Sequence, residues 1–240
     1  MPSTVELRGV SFAPVLSDLS LRVGAGEAVA FIGRSGAGKT TALRLINGLV
    51  KPTGGDVLID GVSLANSDLI ALRRRSGYII QGSGLFPHRT VYENVATIPR
   101  LLGWPATRTR DAAATLLKKL GMPIERFGDL YPARLSGGEQ QRAGIARALV
   151  AEPSLLLCDE PFSALDPIVR RELQDAFREL REERGATIVF VTHDLAEAMR
   201  VCDRVVAFDA GRIVADLPSR DVTKSNVPIV RQLVESAVLP

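Results

Sequence analysis

Lys39 and Thr40 close the segment Gly33-Arg34-Ser35-Gly36-Ala37-Gly38-Lys39-Thr40, a glycine-rich run that ends on an ammonium and a hydroxyl. The pattern G-x-x-x-x-G-K-T suits a chain of phosphates. Glycines let backbone N–H groups curl inward around phosphate oxygens, the lysine reaches the outer phosphates, and the hydroxyl sits where Mg²⁺ would bridge them. Thr41 follows in the same turn. A second group lies downstream, where Leu155-Leu156-Leu157-Cys158 runs into Asp159 and Glu160. At the end of a buried strand, Asp159 can hold the metal directly or through its waters, and Glu160 can act as general base toward an attacking water. A third lies in Leu135-Ser136-Gly137-Gly138-Glu139-Gln140-Gln141-Arg142. Ser136 reads as the cap of a helix whose first turn is stripped of side chains by Gly137 and Gly138, which makes another anion site. Two phosphate sites on one chain are odd if both serve one nucleotide in cis. Two chains placed head to tail resolve this, each giving one loop to each nucleotide.

These groups need strands and helix starts behind them. Residues 5–10 and Leu16–Val23 are short apolar-rich runs, and residues 24–27 read as a turn. Ala28-Val29-Ala30-Phe31-Ile32 is apolar throughout, as in a parallel strand buried on both faces, and runs straight into the glycine-rich loop. A helix follows over about 39–47, with Leu45 and Leu49 four apart and Gly48 as a left-handed stop. Residues 56–59 return as a strand. The middle, about 85–150, changes character. Residues 109–120 form a helix with Leu116, Leu117 and Leu120 on one face, ended by Gly121 and Pro123, and a second helix runs over about 138–150. Alternation then resumes: a strand at 155–158, a helix opened by Asp166-Pro167 with the stripe Leu173, Phe177 and Leu180 and closed by Gly185, a strand at 187–192, and a hairpin over 204–215. The expected fold is α/β, a mostly parallel sheet with flanking helices and an N-terminal antiparallel β region, carrying a helical subdomain at about 85–150 within a single domain over 1–240. Residues 216–240 form a short tail without a clear signal.

Composition sets bounds. With 46% hydrophobic and 24% charged residues in 240, the chain is an ordinary globular one. Thirty Lys and Arg against 27 Asp and Glu give +3, with Arg73-Arg74-Arg75 the longest basic run, too little to argue for nucleic acid. Cys158 and Cys202 make neither a disulfide framework nor a zinc pattern and read as reduced, buried thiols. No run approaches the ~18 apolar residues of a membrane span, and Met1-Pro2-Ser3-Thr4-Val5-Glu6 lacks the features of a signal peptide. The expectation is a water-soluble chain that serves any membrane process from the water side.

With these motifs in this order, the chain resembles the ATP-binding subunits of ABC transporters over about residues 5–215. The resemblance implies a P-loop NTPase core and further roles. Gln81, after Tyr78-Ile79-Ile80, takes the place of the glutamine that coordinates Mg²⁺ and senses the membrane partner. Ser163-Ala164-Leu165-Asp166 matches the D-loop, with Asp166 at the nucleotide interface. His193, in Val191-Thr192-His193-Asp194, matches the switch histidine at the γ-phosphate. The upstream segment that supplies an adenine-stacking aromatic looks shortened here. Phe12 is the aromatic residue nearby, and two placements stay open for it, against the adenine or against the core. Cys158 stands where the family has an aliphatic residue or Met, without expected consequence.

The resemblance also implies a cycle. Two copies sandwich two ATP molecules, each between Lys39 and Thr40 of one chain and Ser136, Gly137 and Gly138 of the other. Thr40, Gln81 and Asp159 hold Mg²⁺, Glu160 polarises water, and His193 steadies the γ-phosphate, giving ADP and phosphate. Hydrolysis parts the chains, and the helical middle passes this motion to a transmembrane permease at the cytoplasmic face of the membrane. Residues 85–104, 160–168 and 189–198 are similar to glycine betaine/choline (osmoprotectant) import ATPases, which implies an indirect partnership with a solute-binding protein. The residues after 215 are too few for the regulatory domain that several such ATPases carry. Import of another small solute, such as an amino acid, is the alternative. A soluble ATP switch on nucleic acid or ribosomes fits less well. The stretch between Thr40 and Ser136 is too short for a long coiled coil, and there is one ATPase unit. A small kinase has no use for the Ser136 loop.

Overall fold

The computed structural model describes residues 1–163 and 165–237, with the side chains of residues 176, 180, 181 and 184 outside that description. Ala164 of the D-loop segment and the Leu180 side chain of the expected stripe therefore lie outside the described residues. In chain order the strands are β1 (Val5–Phe12), β2 (Leu16–Val23), β3 (Ala28–Ile32), β4 (Gly54–Ile59), β5 (Val62–Ser63), β6 (Ser76–Ile79), β7 (Leu155–Asp159), β8 (Thr187–Val191), β9 (Arg204–Asp209) and β10 (Arg212–Pro218). The helices are α1 (Lys39–Ile46), α2 (Leu69–Arg75), α3 (Val91–Val95), α4 (Thr97–Leu101), α5 (Ala106–Lys119), α6 (Ile124–Phe127), α7 (Gly137–Leu149), α8 (Pro167–Arg184), α9 (Leu195–Val201) and α10 (Pro228–Ser236). The chain divides into two compact units, the first made of Met1–Arg73 with Gly185–Pro240, the second of Arg74–Arg184.

The first unit holds two sheets. β2, β1, β4 and β5 form an antiparallel one in that order. β2 alternates inside and outside over its second half, where Leu19, Leu21 and Val23 are buried, and β4 ends on three buried residues, Val57, Leu58 and Ile59. In the other sheet β3 lies between β8 and β9, parallel to both, and β10 pairs antiparallel with β9. All five residues of β3 and of β8 are buried, the pattern expected of parallel strands covered on both faces. Phe31 and Phe208, from adjacent strands, meet with ring centroids 4.9 Å apart. α1 stops where Gly48 takes φ 62; Leu45 is buried, but Leu49, beyond the stop, is exposed and belongs to no helical stripe. The tail also has structure: a 3-10 turn over Ser219–Lys224 and α10, whose Ile229 and Val230 are buried. α10 escapes a sequence reading because it is short and only two of its positions bury a side chain.

The second unit holds the parallel pair β6 and β7 together with α3 to α8. α5 buries Thr109, Ala113, Leu116 and Leu117, one helical face by spacing. Leu120 is buried just past its end. α7 packs closely on the β6–β7 pair: a methyl at Gly77 would come within 2.6 Å of the Ala148 carbonyl oxygen. Both cysteines are free and buried. Among the described residues no helix is long and apolar enough to cross a membrane.

Candidate functional site

In the first unit the turn between β3 and α1 is built from glycines that no other residue could replace cheaply. Gly33, Gly36 and Gly38 have φ of 143, 81 and 99. A methyl at Gly33 would overlap the Phe208 carbonyl, and one at Gly38 the Leu16 side chain. α1 begins at Lys39 with no side-chain cap, so its first N–H groups face the loop without a capping side chain. Lys39 is buried, and its Nζ donates to the carbonyl oxygens of Gly33 at 2.7 Å and Arg34 at 3.0 Å. A buried ammonium, an uncapped helix start and left-handed glycines together fit an anionic phosphate chain. Ala37 and Gly38 are buried, Arg34, Ser35 and Gly36 exposed, Thr40 and Thr41 half-buried. Phe12 is half-buried at the end of β1, and Val15 N–H donates to its carbonyl at 2.7 Å. Because Leu16 of the same turn packs on Gly38, the structure brings the Phe12 turn beside the phosphate loop.

His193 is exposed two residues beyond β8, on a corner fixed at both sides. Thr192 N–H donates to the Phe31 carbonyl at 3.2 Å, which ties the corner to β3. The buried Thr192 hydroxyl donates to Glu197 at 2.8 Å and accepts from Asp194 N–H at 3.0 Å. Asp194 caps α9, accepting from the N–H groups of Ala196 and Glu197.

The second unit carries the carboxylates. Asp159 ends β7 and is buried, and Glu160 follows in a left-handed turn at φ 46. A non-glycine residue there costs about 1–3 kcal/mol and persists only where the surroundings enforce it. They do so here. Ser163 N–H and its hydroxyl both donate to the Glu160 carbonyl, at 3.3 and 3.1 Å. Phe162 is fully buried, edge-on to Phe177 at 5.9 Å. On the neighbouring strand Ile79 pairs with Cys158, so the segments leaving β6 and β7 start level. Gln81 Nε2 then donates to Glu160 Oε2 at 3.0 Å, which brings the two residues together. Because Gln81 engages Glu160 through its nitrogen, its oxygen is the atom suited to a cation. Among the described residues no cluster of three or more His, Cys, Asp and Glu could hold a metal.

The third group is also in the second unit. Ser136 caps α7 in a capping box. Its hydroxyl accepts from Glu139 N–H at 3.3 Å and donates to the Glu139 carboxylate at 2.8 Å, and that carboxylate also accepts from Ser136 N–H at 2.7 Å. These bonds, backbone first and hydroxyl second, hold the Glu139 carboxyl below its ordinary range. Gly137 is exposed, and a methyl at Gly138 would touch Leu165 at 3.4 Å. Asp166 is exposed and caps α8, accepting from the N–H groups of Ile168 and Val169.

Residues 16–163 match the model of a family described as ABC transporter. The chain belongs to the ABC transporter family. It is 48% identical over 199 residues to the choline transport ATP-binding protein OpuBA of Bacillus subtilis, covering 83% of this chain and 52% of that protein. It is also 48% identical over 206 residues to the methionine import ATP-binding protein MetN of Caulobacter vibrioides, covering 85% and 61%. The chain thus spans about half the length of the first of these curated relatives. Among solved structures, a dimeric post-hydrolysis state of the ATP-binding cassette MJ0796 bound to ADP and Pi superposes with a TM-score of 0.81 at 34% identity, covering 90% of this chain and 99% of that one. The expected fold is therefore the observed one, a P-loop cassette with a mixed sheet and flanking helices.

Sequence reasoning missed the supports of this site. Glu197 and Thr192 stand behind His193, Gln232 of α10 accepts from the Arg34 guanidinium at 2.7 Å, and Gln141 stands behind Glu160. Gln141 alone left a readable trace. It heads the positions Gln141, Gly144, Ile145 and Ala148, a helical inner face on which a polar amide is out of place.

Proposed function

We propose that this chain is the ATP-binding and ATP-hydrolysing subunit of an ABC importer for a small solute of the glycine betaine/choline type. The observation that carries the hydrolytic reading is the Gln81–Glu160 hydrogen bond, an amide and a carboxylate poised together past the end of a buried strand. ATP is the substrate. Lys39, with Gly33 to Thr41, binds its phosphates, Phe12 supports the adenine, and Glu160 takes the proton from water as it attacks phosphorus. Mg²⁺, held by Thr40, Gln81 and Asp159, would neutralise phosphate charge. Asp166 and the Ser136–Gly138 turn serve the nucleotide of a second copy, and His193 holds the γ-phosphate. Most of the rate comes from charge stabilisation and positioning. The γ-phosphate favours the closed pair of chains, and its loss releases them. The helices of the 85–150 stretch, within the single domain that the whole chain makes, pass that motion to permease subunits at the cytoplasmic face of the membrane, downstream of a solute-binding protein.

The solute rests on similarity. Several relatives are named for choline, carnitine, glycine betaine or osmoprotectant transport. The methionine import relatives favour a second reading, an amino-acid importer. Two measurements test the proposal. Glu160→Gln should bind ATP as the wild type does, turn over at least about 100-fold more slowly, and accumulate as a dimer on gel filtration with ATP. Rapid turnover by that variant removes Glu160 from the role of base. Uptake of labelled choline or glycine betaine against methionine, in vesicles holding the chain with its permease, decides the solute.

A further inference from the structure

Gln141 is almost fully buried on α7, yet it spends both ends of its amide on backbone outside its helix. Its Oε1 accepts from Ser83 N–H at 3.0 Å, and its Nε2 donates to the Pro161 carbonyl at 2.6 Å. Ser83 lies two residues after Gln81, and Pro161 directly follows Glu160. One side chain therefore ties together the two segments whose own side chains meet at 3.0 Å. Both segments are strained in the same sense: Ser83 has φ 56 and Glu160 φ 46. Neither is glycine, so each needs an external restraint to stay in the left-handed region.

The rest of α7 is shaped to the same contact. A methyl at Gly144 would approach the Ser83 carbonyl oxygen to 2.8 Å, so only glycine lets the helix come this close. One turn on, the Arg147 guanidinium donates to the carbonyls of Gly84 at 2.7 Å and Ser83 at 3.2 Å. These contacts hold the 83–84 turn from one side. Gln141 is the one side chain among them that also reaches the Glu160 segment.

We infer that Gln141 is a positioning residue: its buried amide sets the Gln81–Glu160 pair in register, and thereby couples the start of α7 to hydrolysis. The inference rests on the hydrolytic reading above. It also explains why a polar residue occupies the inner face of α7. An apolar side chain of the same length would fill the space but leave the Ser83 N–H and the Pro161 carbonyl unpaired, and both turns would lose their common anchor.

Gln141→Met and Gln141→Glu, in the full chain, test it. Met removes both bonds, while Glu keeps the acceptor for Ser83 N–H and loses the donor to Pro161. For Gln141→Met we expect kcat to fall about 10-fold or more with ATP affinity within about 3-fold of wild type. Hydrogen exchange at the Ser83 amide should quicken about 10-fold in Gln141→Met and much less in Gln141→Glu. The discriminating step repeats Gln141→Met in a Gln81→Ala background, where it should cost under about 3-fold, because the pair it positions is already broken. An equal cost in both backgrounds, or an unchanged kcat, overturns the inference and assigns Gln141 to packing alone. A wild-type chain that binds ATP without hydrolysing it instead overturns the proposed function. The Ser83 exchange still reports whether Gln141 holds the turn.

Discussion

Two helix starts in this molecule present glycine-rich turns, and they solve the same electrostatic problem differently. At α1 the turn is built by Gly33, Gly36 and Gly38, no side chain caps the helix, and the buried Lys39 ammonium bonds to the Gly33 and Arg34 carbonyls. At α7 the turn is built by Gly137 and Gly138, but Ser136 and Glu139 close a capping box over it. The first start has no capping side chain and so is prepared for an anion from outside. The second already faces a carboxylate of its own chain. An anion arriving there must share or displace the Ser136 hydroxyl, which now donates to Glu139 at 2.8 Å. The lesson is one of order: the α1 turn is ready for an anion as it stands, whereas the α7 turn takes one only by disturbing its own cap.

The largest effect should come from the α1 turn. Lys39→Ala removes the buried ammonium, and losing a charged hydrogen-bond partner to phosphate should weaken ATP binding by about 10- to 100-fold, with turnover lost alongside. Calorimetric titration checks it, and wild-type affinity in the variant would break the comparison at its first term. The α7 turn should behave the other way. If, as proposed, this turn serves a second copy's nucleotide, Ser136→Arg should leave ATP binding by the single chain within about 3-fold and abolish turnover. Equal loss of binding and turnover would mean that both turns serve one chain.

The contrast between these turns was only half legible in the sequence. The glycines, Lys39 and Ser136 stand at fixed spacing, and spacing is what a sequence carries best. β3 and β7 were readable for a similar reason, because strands buried on both faces write themselves as unbroken apolar runs. The Glu139 lock was not read, although serine followed three residues later by glutamate is a capping-box pattern. Gln141, Glu197 and Gln232 were hidden for a plainer reason. Their partners are backbone or side chains between 5 and 198 residues away, and only the folded chain brings them near. Short helices such as α3, α4 and α9 escaped because a few residues cannot display a period.

The smallest effect tests the cap itself. Glu139→Gln keeps the length of the side chain and removes its charge, so the capping box should weaken without loss of fold. A carboxylate at a helix N-terminus is worth about 0.3–1 kcal/mol, which for a chain of this size shifts the melting temperature by about 1–4 °C. Charge gives the shift a pH signature. The Ser136 N–H and hydroxyl favour the ionised carboxyl, so its folded value lies below its ordinary 4.5. A lowered folded value means that the stabilisation is fully present above the ordinary value and fades as pH falls through the lower one. The wild type should therefore melt above Glu139→Gln at pH 7, with the gap closing as the solution is acidified below about 4.5. A gap that stays constant across that window would mean that the Glu139 charge does not hold the α7 turn, and the two helix starts would then differ in sequence but not in readiness.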